Sequence, residues 1–332
     1  MNQSVVWDHT SGISILARPE PNASAGHVVL RVDASGLCGT DLHIAAGEYP
    51  LAKSPVVLGH EYAGTIVEVG DGVHGWQLGD RVVVDPNIPC GGCRFCHDAK
   101  PHLCTNPQTL GVTIDGGMAQ YSAVPVSRIY RVPDGLSMTA AALTEPLACA
   151  LHAVDRANLR AGDTAIVLGA GPIGLLCAAL LKTAGASQVL VSDPQGARRA
   201  RVAEFGGEPL TPDQVPNGEA DVVLECVGRS DTMLAATTAV RAGGTVVWVG
   251  VAPLEATVSV NPYDIFRREI TIRGTYTNPF TMDRSLTILQ SGDIPWERLI
   301  THTLPLAQFP EAWDTHARSL GLKVCVEPNA GS

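Results

Sequence analysis

The stretch TAIVLGAGPIG, residues 164–174, decides the fold of this 332-residue chain. The continuous apolar run from Thr164 to Leu168 is typical of a strand buried on both faces of a parallel sheet. A second apolar segment, residues 173–183, has the length of a helix. Three glycines join the two segments in a G-x-G-x-x-G pattern: Gly169, Gly171 and Gly174. Such glycines allow a tight turn, close approach of a pyrophosphate and close helix–strand packing, so the stretch predicts a dinucleotide-binding unit.

Strand-like and helix-like segments continue to alternate after this unit. The predicted strands are the apolar runs at residues 188–192, 221–227, 245–251 and 270–272. The predicted helices between them are residues 196–205 and 231–240. This alternation predicts an α/β fold with a doubly wound parallel sheet of the Rossmann type.

The acidic residue Asp193 lies about 20 positions after the glycines, at the end of the next predicted strand. A carboxylate there accepts hydrogen bonds from the adenosine ribose and repels the 2′-phosphate of NADP, so NAD is the expected cofactor. Arg198 and Arg199 weigh against this preference, because a nearby arginine can accommodate that phosphate.

The first half of the chain has a different pattern, with short β-like runs at residues 28–32, 63–69 and 81–84 between closely spaced glycines and prolines. This pattern predicts a β-rich domain built as a barrel or folded sheet. After Tyr276, residues 282–290 are predicted as a helix and residues 292–305 as irregular. Residues 322–326 form a final strand that could end the second domain or return to the first.

Composition excludes several function classes. Charged residues make up 17% of the chain, the formal net charge is −10, and no run of Lys and Arg occurs, which disfavours nucleic acids and anionic membranes as partners. Residues 1–10 lack the pattern of a signal peptide, and no apolar stretch is long enough to span a bilayer. We therefore expect a cytoplasmic protein without a membrane partner. In a reducing cytoplasm, clustered cysteines are more often metal ligands than disulfides.

Four of the nine cysteines follow a C-x2-C-x2-C-x7-C spacing: Cys90, Cys93, Cys96 and Cys104. Four thiolates in one loop can close a tetrahedron around zinc and leave no position for a substrate. An iron–sulfur cluster is the rival, but the bacterial cluster motif ends C-x3-C-P, whereas Thr105 follows the last cysteine here. The spacing predicts a structural zinc site.

A second candidate metal site draws on three separated segments. They are CGTDLH at residues 38–43, GHE at residues 59–61 and EPL at residues 145–147. A catalytic zinc needs about three protein ligands and one open position. Cys38 and His60 offer sulfur and nitrogen, and Glu61 and Glu145 offer oxygen.

Taken together, these motifs resemble the zinc-containing medium-chain dehydrogenases of the alcohol dehydrogenase type. The strongest local match is GHEYAG at residues 59–64, followed by Gly70 and Val73, and the cysteine loop and the glycine motif occur in the family's order. Glu145-Pro146 stands where the classical alcohol dehydrogenases have a cysteine ligand, which is typical of the polyol (sorbitol-like) and threonine dehydrogenases. The threonine enzymes typically carry Asp there, so the resemblance favours a polyol over an amino alcohol such as threonine, and both an amino alcohol and a cyclitol stay open.

The resemblance implies three parts of the chain. Residues 1–152 would form a GroES-like catalytic domain with the structural zinc loop. Residues 153–285 would form the Rossmann NAD-binding domain, and residues 286–332 a segment that returns to the catalytic domain. It also implies a homodimer or homotetramer, assembled through the edge strand near Ile270.

The resemblance further implies roles for individual residues. Cys38, His60 and Glu61 would bind the catalytic zinc, with Glu145 ligating directly or through water. Asp41 would hold the other ring nitrogen of His60. Thr40 would hydrogen-bond the substrate alcohol, and His43 would pass its proton through the cofactor ribose to solvent. The implied cofactor-binding residues are Gly169, Gly171, Pro172, Ile173, Gly174, Asp193, Arg198, Cys226, Val227, Val249, Gly250, Val251, Thr275 and Tyr276.

Zinc-dependent transfer of a hydride between a secondary alcohol and NAD is the resulting hypothesis, with two zinc ions per chain. Two alternatives stay open: a reductase of activated double bonds or carbonyls that uses NADPH and in which zinc is idle, and a non-enzymatic NAD-binding protein. Cys149 could replace Glu145 as a ligand, whereas Cys177, Cys226 and Cys325 are interpreted as buried apolar residues. His316 is interpreted as surface or structural, and Glu48 has no partner that the sequence identifies.

Overall fold

The computed structural model describes residues 1–330, which divide into two compact units. The first unit comprises Met1–Glu145, Met282–Gln290 and the chain from Trp296 onwards, and the second comprises Pro146–Thr281 and Ser291–Pro295. The sequence-based boundary at residue 152 lies inside a helix, Thr144–Ala157, which continues across the division. No helix within residues 1–330 is long and apolar enough to cross a membrane.

The first unit is built mostly from short strands. Its strands in the first 145 residues are β1 (Asn2–Asp8), β2 (Gly12–Arg18), β3 (His27–Gly36), β4 (Val56–Val57), β5 (Glu61–Val69), β6 (Arg81–Val84), β7 (Asn87–Ile88), β8 (Gln108–Thr109), β9 (Tyr121–Pro125) and β10 (Ile129–Arg131). The helices that begin in this part are α1 (Gly39–Ala45), α2 (Arg94–His97), α3 (Met138–Ala142) and α4 (Thr144–Ala157).

The second unit alternates strands and helices. Its strands are β11 (Thr164–Leu168), β12 (Gln188–Ser192), β13 (Glu208–Leu210), β14 (Ala220–Glu225), β15 (Val240–Trp248) and β16 (Thr271–Gly274). Its helices are α5 (Pro172–Thr183), α6 (Gly196–Arg199), α7 (Ser230–Ala239) and α8 (Pro262–Arg268). The remaining elements of the described chain are α9 (Met282–Ser291), α10 (Trp296–Leu299), β17 (Ile300–Pro305), α11 (Phe309–Ala317) and β18 (Lys323–Glu327).

The main sheet of the first unit joins strands from both ends of the chain. Its order is β10-β6-β5-β3-β18-β17, and β9 also pairs with β3. Strand β18 runs antiparallel to β3, with Cys325 opposite Gly36, and parallel to β17. Alternating apolar residues of β3, β5 and β6 form one core, of which Leu30, Tyr62 and Val82 are fully buried members. The final strand predicted from the sequence thus lies in the first unit.

The second unit contains a six-stranded parallel sheet in the order β13-β12-β11-β14-β15-β16. Numbered from the first strand of the unit, this order is 3-2-1-4-5-6, the Rossmann order, which confirms the predicted fold class. Strand β11 lies at the point where the strand order reverses. The glycine loop follows β11 directly, so it lies at the sheet edge where such folds bind ligands.

The structure differs from the sequence prediction most clearly at three places. The helix predicted at residues 196–205 ends at Arg199, and a 3-10 turn, Val202–Phe205, follows it. Strand β13 was not predicted, because its three residues include Pro209 and offer no apolar run. The segment 292–305 is not irregular throughout, since it contains α10 and β17.

Candidate functional site

The catalytic candidate residues meet where β3 and β5 run side by side. Gly36, the last residue of β3, pairs with Glu61, the first residue of β5. Cys38 follows β3 and immediately precedes α1, and His60 precedes β5. As a result, the donor atoms of Cys38, His60 and Glu61 all lie within 4.8 Å of one another. His60 and Glu61 are buried, and Cys38 is half-buried.

The ring of His60 faces a buried carboxylate, Asp41 in α1. His60 Nδ1 and Asp41 Oδ1 are 3.6 Å apart, and within residues 1–330 neither atom has a hydrogen-bond partner. The other oxygen of Asp41 accepts a hydrogen bond from the backbone N–H of Cys38 at 2.9 Å. Burial alone would lower the pKa of His60, but Asp41 and the Cys38 sulfur outweigh it and hold that pKa well above its usual value. Burial raises the pKa of Asp41.

Glu61 has a partner that the sequence analysis missed. Lys323, in β18, places its Nζ 2.8 Å from Oε1 and 2.6 Å from Oε2 of Glu61, and it also donates to the carbonyl of Leu37 at 3.1 Å. Both side chains are almost completely buried. Burial opposes the charge of Lys323, yet Glu61 raises its pKa above the usual value. The sequence does contain a signal for this partner, namely the single lysine inside the apolar run LKVCV, residues 322–326. A lysine buried in such a run is almost always paired with an acidic group.

Glu145 lies apart from the three clustered donors. It belongs to the first turn of α4 and is buried, but its carboxylate is not within the 4.8 Å group formed by Cys38, His60 and Glu61. It is nevertheless close enough to raise the pKa of His60 by its charge. Cys149, one turn further along α4, is also outside that group.

The two residues of the expected proton path lie on α1. Thr40 is in the first turn of the helix, where its Oγ1 lies 3.7 Å from the Cys38 sulfur. His43 is one turn later and is partly exposed. Helix α1 therefore runs from the neighbourhood of Cys38 to the partly exposed His43.

His316, in α11, is close to this site. It is partly buried, and its Nε2 is buried without a hydrogen-bond partner within residues 1–330, while the backbone of Cys38 is near enough to influence the ring. Burial, followed by the charge of Lys323, lowers its pKa. His316, which was interpreted from the sequence as surface or structural, thus lies near Cys38.

The four cysteines of the predicted structural site converge in the loop around α2. Their sulfur atoms all lie within 4.8 Å of one another. Backbone N–H groups of Cys90 and Asn106 point at the sulfur of Cys104, at 3.2 Å and 3.4 Å. The backbone N–H groups of Thr105 and Cys96 lower the pKa of Cys93 to about 5, which favours a thiolate there, whereas burial and the neighbouring Cys93 sulfur raise the pKa of Cys96 to about 11.

The glycine loop of the second unit has the shape that a pyrophosphate requires. Gly169 has a φ of +101°, which an L side chain rarely adopts, and a side chain at Gly174 would collide with the carbonyl of Gly169. A Cβ at Gly171, by contrast, would meet no atom within 4 Å, so the backbone there is open to a ligand. Pro172 and Ile173 begin α5, whose first N–H groups face the same opening.

Asp193 is buried at the end of β12 and supports this loop. One of its oxygens accepts the backbone N–H of Ala170 at 2.9 Å, and the other accepts that of Gln195 at 2.8 Å. Arg198 Nη1 is 3.7 Å from the Asp193 carboxylate, and Arg199 donates to the Asp193 carbonyl at 2.8 Å. The carboxylate is thus fixed at the place where the ribose of a dinucleotide is expected.

A second buried acid, Glu225 at the end of β14, organises the remaining cofactor candidates. Its carboxylate accepts the N–H groups of Val227 and Gly228 at 2.8 Å and 2.9 Å. Its carbonyl accepts those of Val249 and Gly250 at 2.8 Å and 2.9 Å. The loops that carry Cys226–Gly228 and Val249–Val251 therefore lie together, and a Cβ at Gly250 would collide with the backbone of Gly228. The sequence analysis did not identify Glu225.

Thr275 and Tyr276 follow β16. The N–H of Thr275 donates to the carbonyl of Trp248 at 3.2 Å, which links this turn to the end of β15. The Thr275 hydroxyl is buried and has no hydrogen-bond partner within residues 1–330, while Tyr276 is exposed. All the cofactor candidates thus follow the carboxyl ends of parallel strands, the usual ligand-binding edge.

The residues present fit two zinc ions and a dinucleotide. The four-thiolate set is closed and suits a structural zinc, and the Cys38–His60–Glu61 set combines the three donor types that zinc accepts. The unpaired Nδ1 of His60 facing Asp41 matches the arrangement in which a carboxylate orients a metal-binding histidine.

Two family models match the chain. Residues 24–134 match the alcohol dehydrogenase GroES-like domain, and residues 172–288 match the zinc-binding dehydrogenase model. The two models cover the two candidate metal sites and most of the dinucleotide unit, respectively.

Similar proteins span the full length of the chain. D-arabinitol dehydrogenase 1 of Uromyces fabae is 33% identical over 98% of this chain and 97% of its own length. D-altritol 5-dehydrogenase of Agrobacterium fabrum is 35% identical over 90% of this chain and 91% of its own. A zinc-binding dehydrogenase of Sinorhizobium meliloti, solved with NADP bound, is 35% identical, covers 99% of both chains and superposes with a TM-score of 0.95.

Proposed function

Because the chain belongs to the zinc-containing alcohol dehydrogenase family, we propose that it oxidises a secondary hydroxyl group of a polyol with NAD, or catalyses the reverse reduction. The observation that carries this proposal is the cluster of Cys38, His60 and Glu61, whose donor atoms lie within 4.8 Å of one another. A reductase in which zinc is idle, or a protein that only binds NAD, would have no use for this complete donor set.

We propose that Cys38, His60 and Glu61 hold the catalytic zinc, with Glu145 acting directly or through water. Bound in this way, zinc supplies a Lewis acid that favours loss of the hydroxyl proton, and the nicotinamide accepts the hydride. Asp41 orients the His60 ring, and Lys323 holds both oxygens of the Glu61 carboxylate. Cys90, Cys93, Cys96 and Cys104 would hold the second zinc, which would stabilise their loop.

Two residues of α1 handle the proton in this proposal. The Thr40 hydroxyl, beside the Cys38 sulfur, hydrogen-bonds the substrate hydroxyl and relays its proton. His43, one turn later and partly exposed, receives the proton and releases it toward solvent. The substrate carbon loses its hydride to NAD in the same reaction, so the products are a ketone, NADH and a proton.

NAD is the proposed cofactor in preference to NADP. Asp193 is held in place by backbone N–H groups and would repel the extra phosphate of NADP. Arg198 is the competing influence, and the similar Sinorhizobium structure contains NADP. Because Arg198 is already directed at Asp193, the carboxylate neutralises part of the charge that would attract a phosphate.

A polyol is the proposed substrate class. Two similar proteins act, by their names, on arabinitol and altritol. Glu145 supports this assignment, because it stands where the classical alcohol dehydrogenases carry a cysteine.

The proposed functional division assigns residues 1–152 to catalysis, 153–285 to the cofactor and 286–332 to completion of the catalytic domain. The two compact units and the pairing of β18 with β3 support it. We also propose a cytoplasmic location, since none of the nine cysteines forms a disulfide bond and a thiolate zinc site requires reduced sulfur. The assembly is proposed to be a homodimer or homotetramer that forms through β16.

A panel of polyols and simple secondary alcohols, offered with NAD and with NADP, tests the proposed reaction. We expect NADH to form with at least one polyol and metal analysis to find two zinc ions per chain. One zinc ion per chain with turnover of an activated double bond would support the zinc-idle reductase instead.

The Cys38→Ser variant tests the catalytic site itself. We expect turnover to be lost, by roughly a thousandfold or more, because the site loses a metal ligand. NAD binding, measured by calorimetry, should persist, and one zinc ion per chain should remain. Cys325→Ser, which changes a buried cysteine outside both clusters, is the control and should keep turnover. Turnover retained in Cys38→Ser would contradict the mechanism.

A further inference from the structure

His43 is hydrogen-bonded to a carboxylate that the sequence left without a partner. Its Nδ1 lies 2.8 Å from Oε2 of Glu48. The His43 side chain is 40% exposed and that of Glu48 is 62% exposed, so the two side chains lie at the surface of α1 in contact with water. Within residues 1–330, Nε2 of His43 has no hydrogen bond to another residue, and this nitrogen is the one available to a substrate.

The turn after α1 places the two residues together. Gly47 has a φ of +73°, a left-handed conformation that glycine adopts easily and that reverses the chain at the end of a helix. The N–H of Gly47 donates to the carbonyl of Ile44 at 3.0 Å, and that of Glu48 donates to the carbonyl of His43 at 2.8 Å. Glu48 is therefore joined to His43 through both backbone and side chain.

This contact has a chemical consequence that exceeds its contribution to stability. An exposed ion pair contributes little to the stability of a fold, because water screens the two charges. An ionised carboxylate can only accept a hydrogen bond, so the contact requires the ring hydrogen to lie on Nδ1 of His43. Nε2 then carries the lone pair and is the atom that accepts a proton. Glu48 thus selects the tautomer that a proton acceptor needs.

We propose that Glu48 is a positioning residue of the proton path, which extends the path from Thr40 and His43 to a surface carboxylate. The inference rests on the proposed function. During alcohol oxidation the substrate O–H bond breaks, the proton passes through Thr40 to Nε2 of His43, and the hydride leaves the carbon for NAD. The resulting imidazolium is paired with the Glu48 carboxylate until its proton passes to water, so no further reactant is required.

A double-mutant cycle between His43 and Glu48 tests this inference. Single-turnover formation of NADH with a polyol is measured for the intact protein, His43→Ala, Glu48→Ala and the double variant, since this rate is not limited by product release. NADH formation by the intact protein establishes the proposed function before the variants are compared. If the intact protein forms no NADH with any polyol, the proposed function is contradicted, whereas the His43–Glu48 contact is not.

We expect Glu48→Ala to slow NADH formation about tenfold, as is usual for partners that orient a functional histidine. The same substitution on the His43→Ala background should cause no further loss, because Glu48 acts only through that ring. Formate, a small carboxylate that can reach this exposed position, should restore part of the rate in Glu48→Ala and none in the double variant. Glu20→Ala removes another exposed glutamate that forms an ion pair and should retain the full rate.

Three results would overturn the inference: an unchanged rate in Glu48→Ala, an equal loss on the His43→Ala background, or no relief by formate. If Glu48 only stabilised the fold, Glu48→Ala would cause the same loss of rate on the His43→Ala background, because the effect would not depend on the imidazole ring. Helical content by circular dichroism and zinc content, measured for every variant, identify any variant that has not folded.

Discussion

Glu61 and Lys323 are oppositely charged side chains buried beside the proposed catalytic zinc. Removing charges from water is costly, and this cost is offset only when the partners meet with good geometry. The two contacts from Nζ to the Glu61 oxygens and the third to the Leu37 carbonyl meet that requirement. The Glu61 carboxylate is therefore held in a fixed orientation by Lys323, and in that orientation it would be a ligand of the proposed metal.

The Asp193 carboxylate determines the proposed preference for NAD, and Asp193→Ala tests it. We expect the ratio of kcat/KM for NAD to that for NADP to fall about tenfold or more. Hydrogen bonds to charged groups contribute about 1.5–3 kcal/mol, and the variant loses both those bonds to the ribose and the repulsion of the phosphate. Steady-state kinetics with both cofactors and one polyol measure the ratio.

Asp193 also supports the glycine loop through Ala170, so a loss of loop structure must be distinguished from a loss of cofactor recognition. Asp193→Asn keeps an oxygen acceptor for the Ala170 N–H while it removes the charge. This variant should still lower the ratio of kcat/KM for NAD to that for NADP. Asp231→Ala removes an exposed acid of the same unit and serves as the control. An unchanged ratio in both Asp193 variants would show that another residue selects the cofactor.

At the scale of single residues, the sequence indicated groups whose members are close along the chain. The four cysteines of residues 90–104 and the glycines of residues 169–174 form local patterns, and the structure brings the four sulfur atoms within 4.8 Å of one another. Lys323 was missed, because 262 residues separate it from Glu61 and only folding brings the two together. Glu48 is only five residues from His43, but the contact depends on the left-handed turn at Gly47, which no spacing rule specifies.

At the scale of elements, long apolar runs were predicted well and short edge elements were not. Strands β11 and β12 have the bounds that their apolar runs indicate, because they are buried in the parallel sheet. Within residues 1–330, strand β13 pairs only with β12 and strand β17 only with β18, so neither needs a continuous apolar run. Tertiary pairing, which the local sequence does not record, creates these strands.

Asp221 connects three neighbouring strands of the second unit. From β14, one of its oxygens accepts the N–H of Thr164 in β11 at 2.8 Å, and the other contacts Arg241 of β15 at 2.5 Å. Burial opposes the charge, but these partners outweigh it and lower the pKa of Asp221. A carboxyl group with a lowered pKa in the folded state stabilises that state above its unfolded pKa of about 3.9, and this stabilisation is lost as pH falls through the folded-state pKa.

The Asp221→Asn variant should therefore be destabilised at neutral pH and approach the original protein as the pH falls from about 5 toward 3. We expect a loss of about 1 kcal/mol at pH 7, because Arg241 is nearly half exposed and solvent screens the pair. Hydrogen exchange of the β11 and β14 backbone amides measures this loss of stability, and we expect their protection factors to decrease roughly fivefold. Asp231→Asn, whose ion pair with Arg229 is exposed, is the control. A loss independent of pH would indicate that packing is responsible.

At the scale of the whole molecule, the first unit is assembled from both ends of the chain. The hydrogen bond from Lys323 to the carbonyl of Leu37 spans 286 residues. The sequence predicted the final strand but left its location open, since periodicity does not identify a partner strand. The interrupted unit means that the last described strand contributes Lys323 to the site near Glu61, so the proposed catalytic machinery needs the C-terminal segment.

The proposed assembly depends on an edge of the second unit. Strand β16 pairs with β15 on one side, and within residues 1–330 no strand covers its other side. On the preceding helix, α8, the rings of Tyr263 and Phe266 lie 6.4 Å apart and are 68% and 78% exposed. Open strand edges and exposed aromatic groups favour association with a second copy of the same surface.

Light scattering after size-exclusion chromatography should give two or four times the chain mass of 34.8 kDa. Phe266→Glu should shift the mass toward a single chain at micromolar concentration, because burying an unpaired carboxylate in an interface is costly. Leu78→Glu changes a similarly exposed apolar residue of the first unit and should leave the mass unchanged. A single-chain mass for the original protein at every concentration would contradict the assembly. An oligomer unaffected by Phe266→Glu would place the interface away from α8, because a carboxylate there would then remain in water.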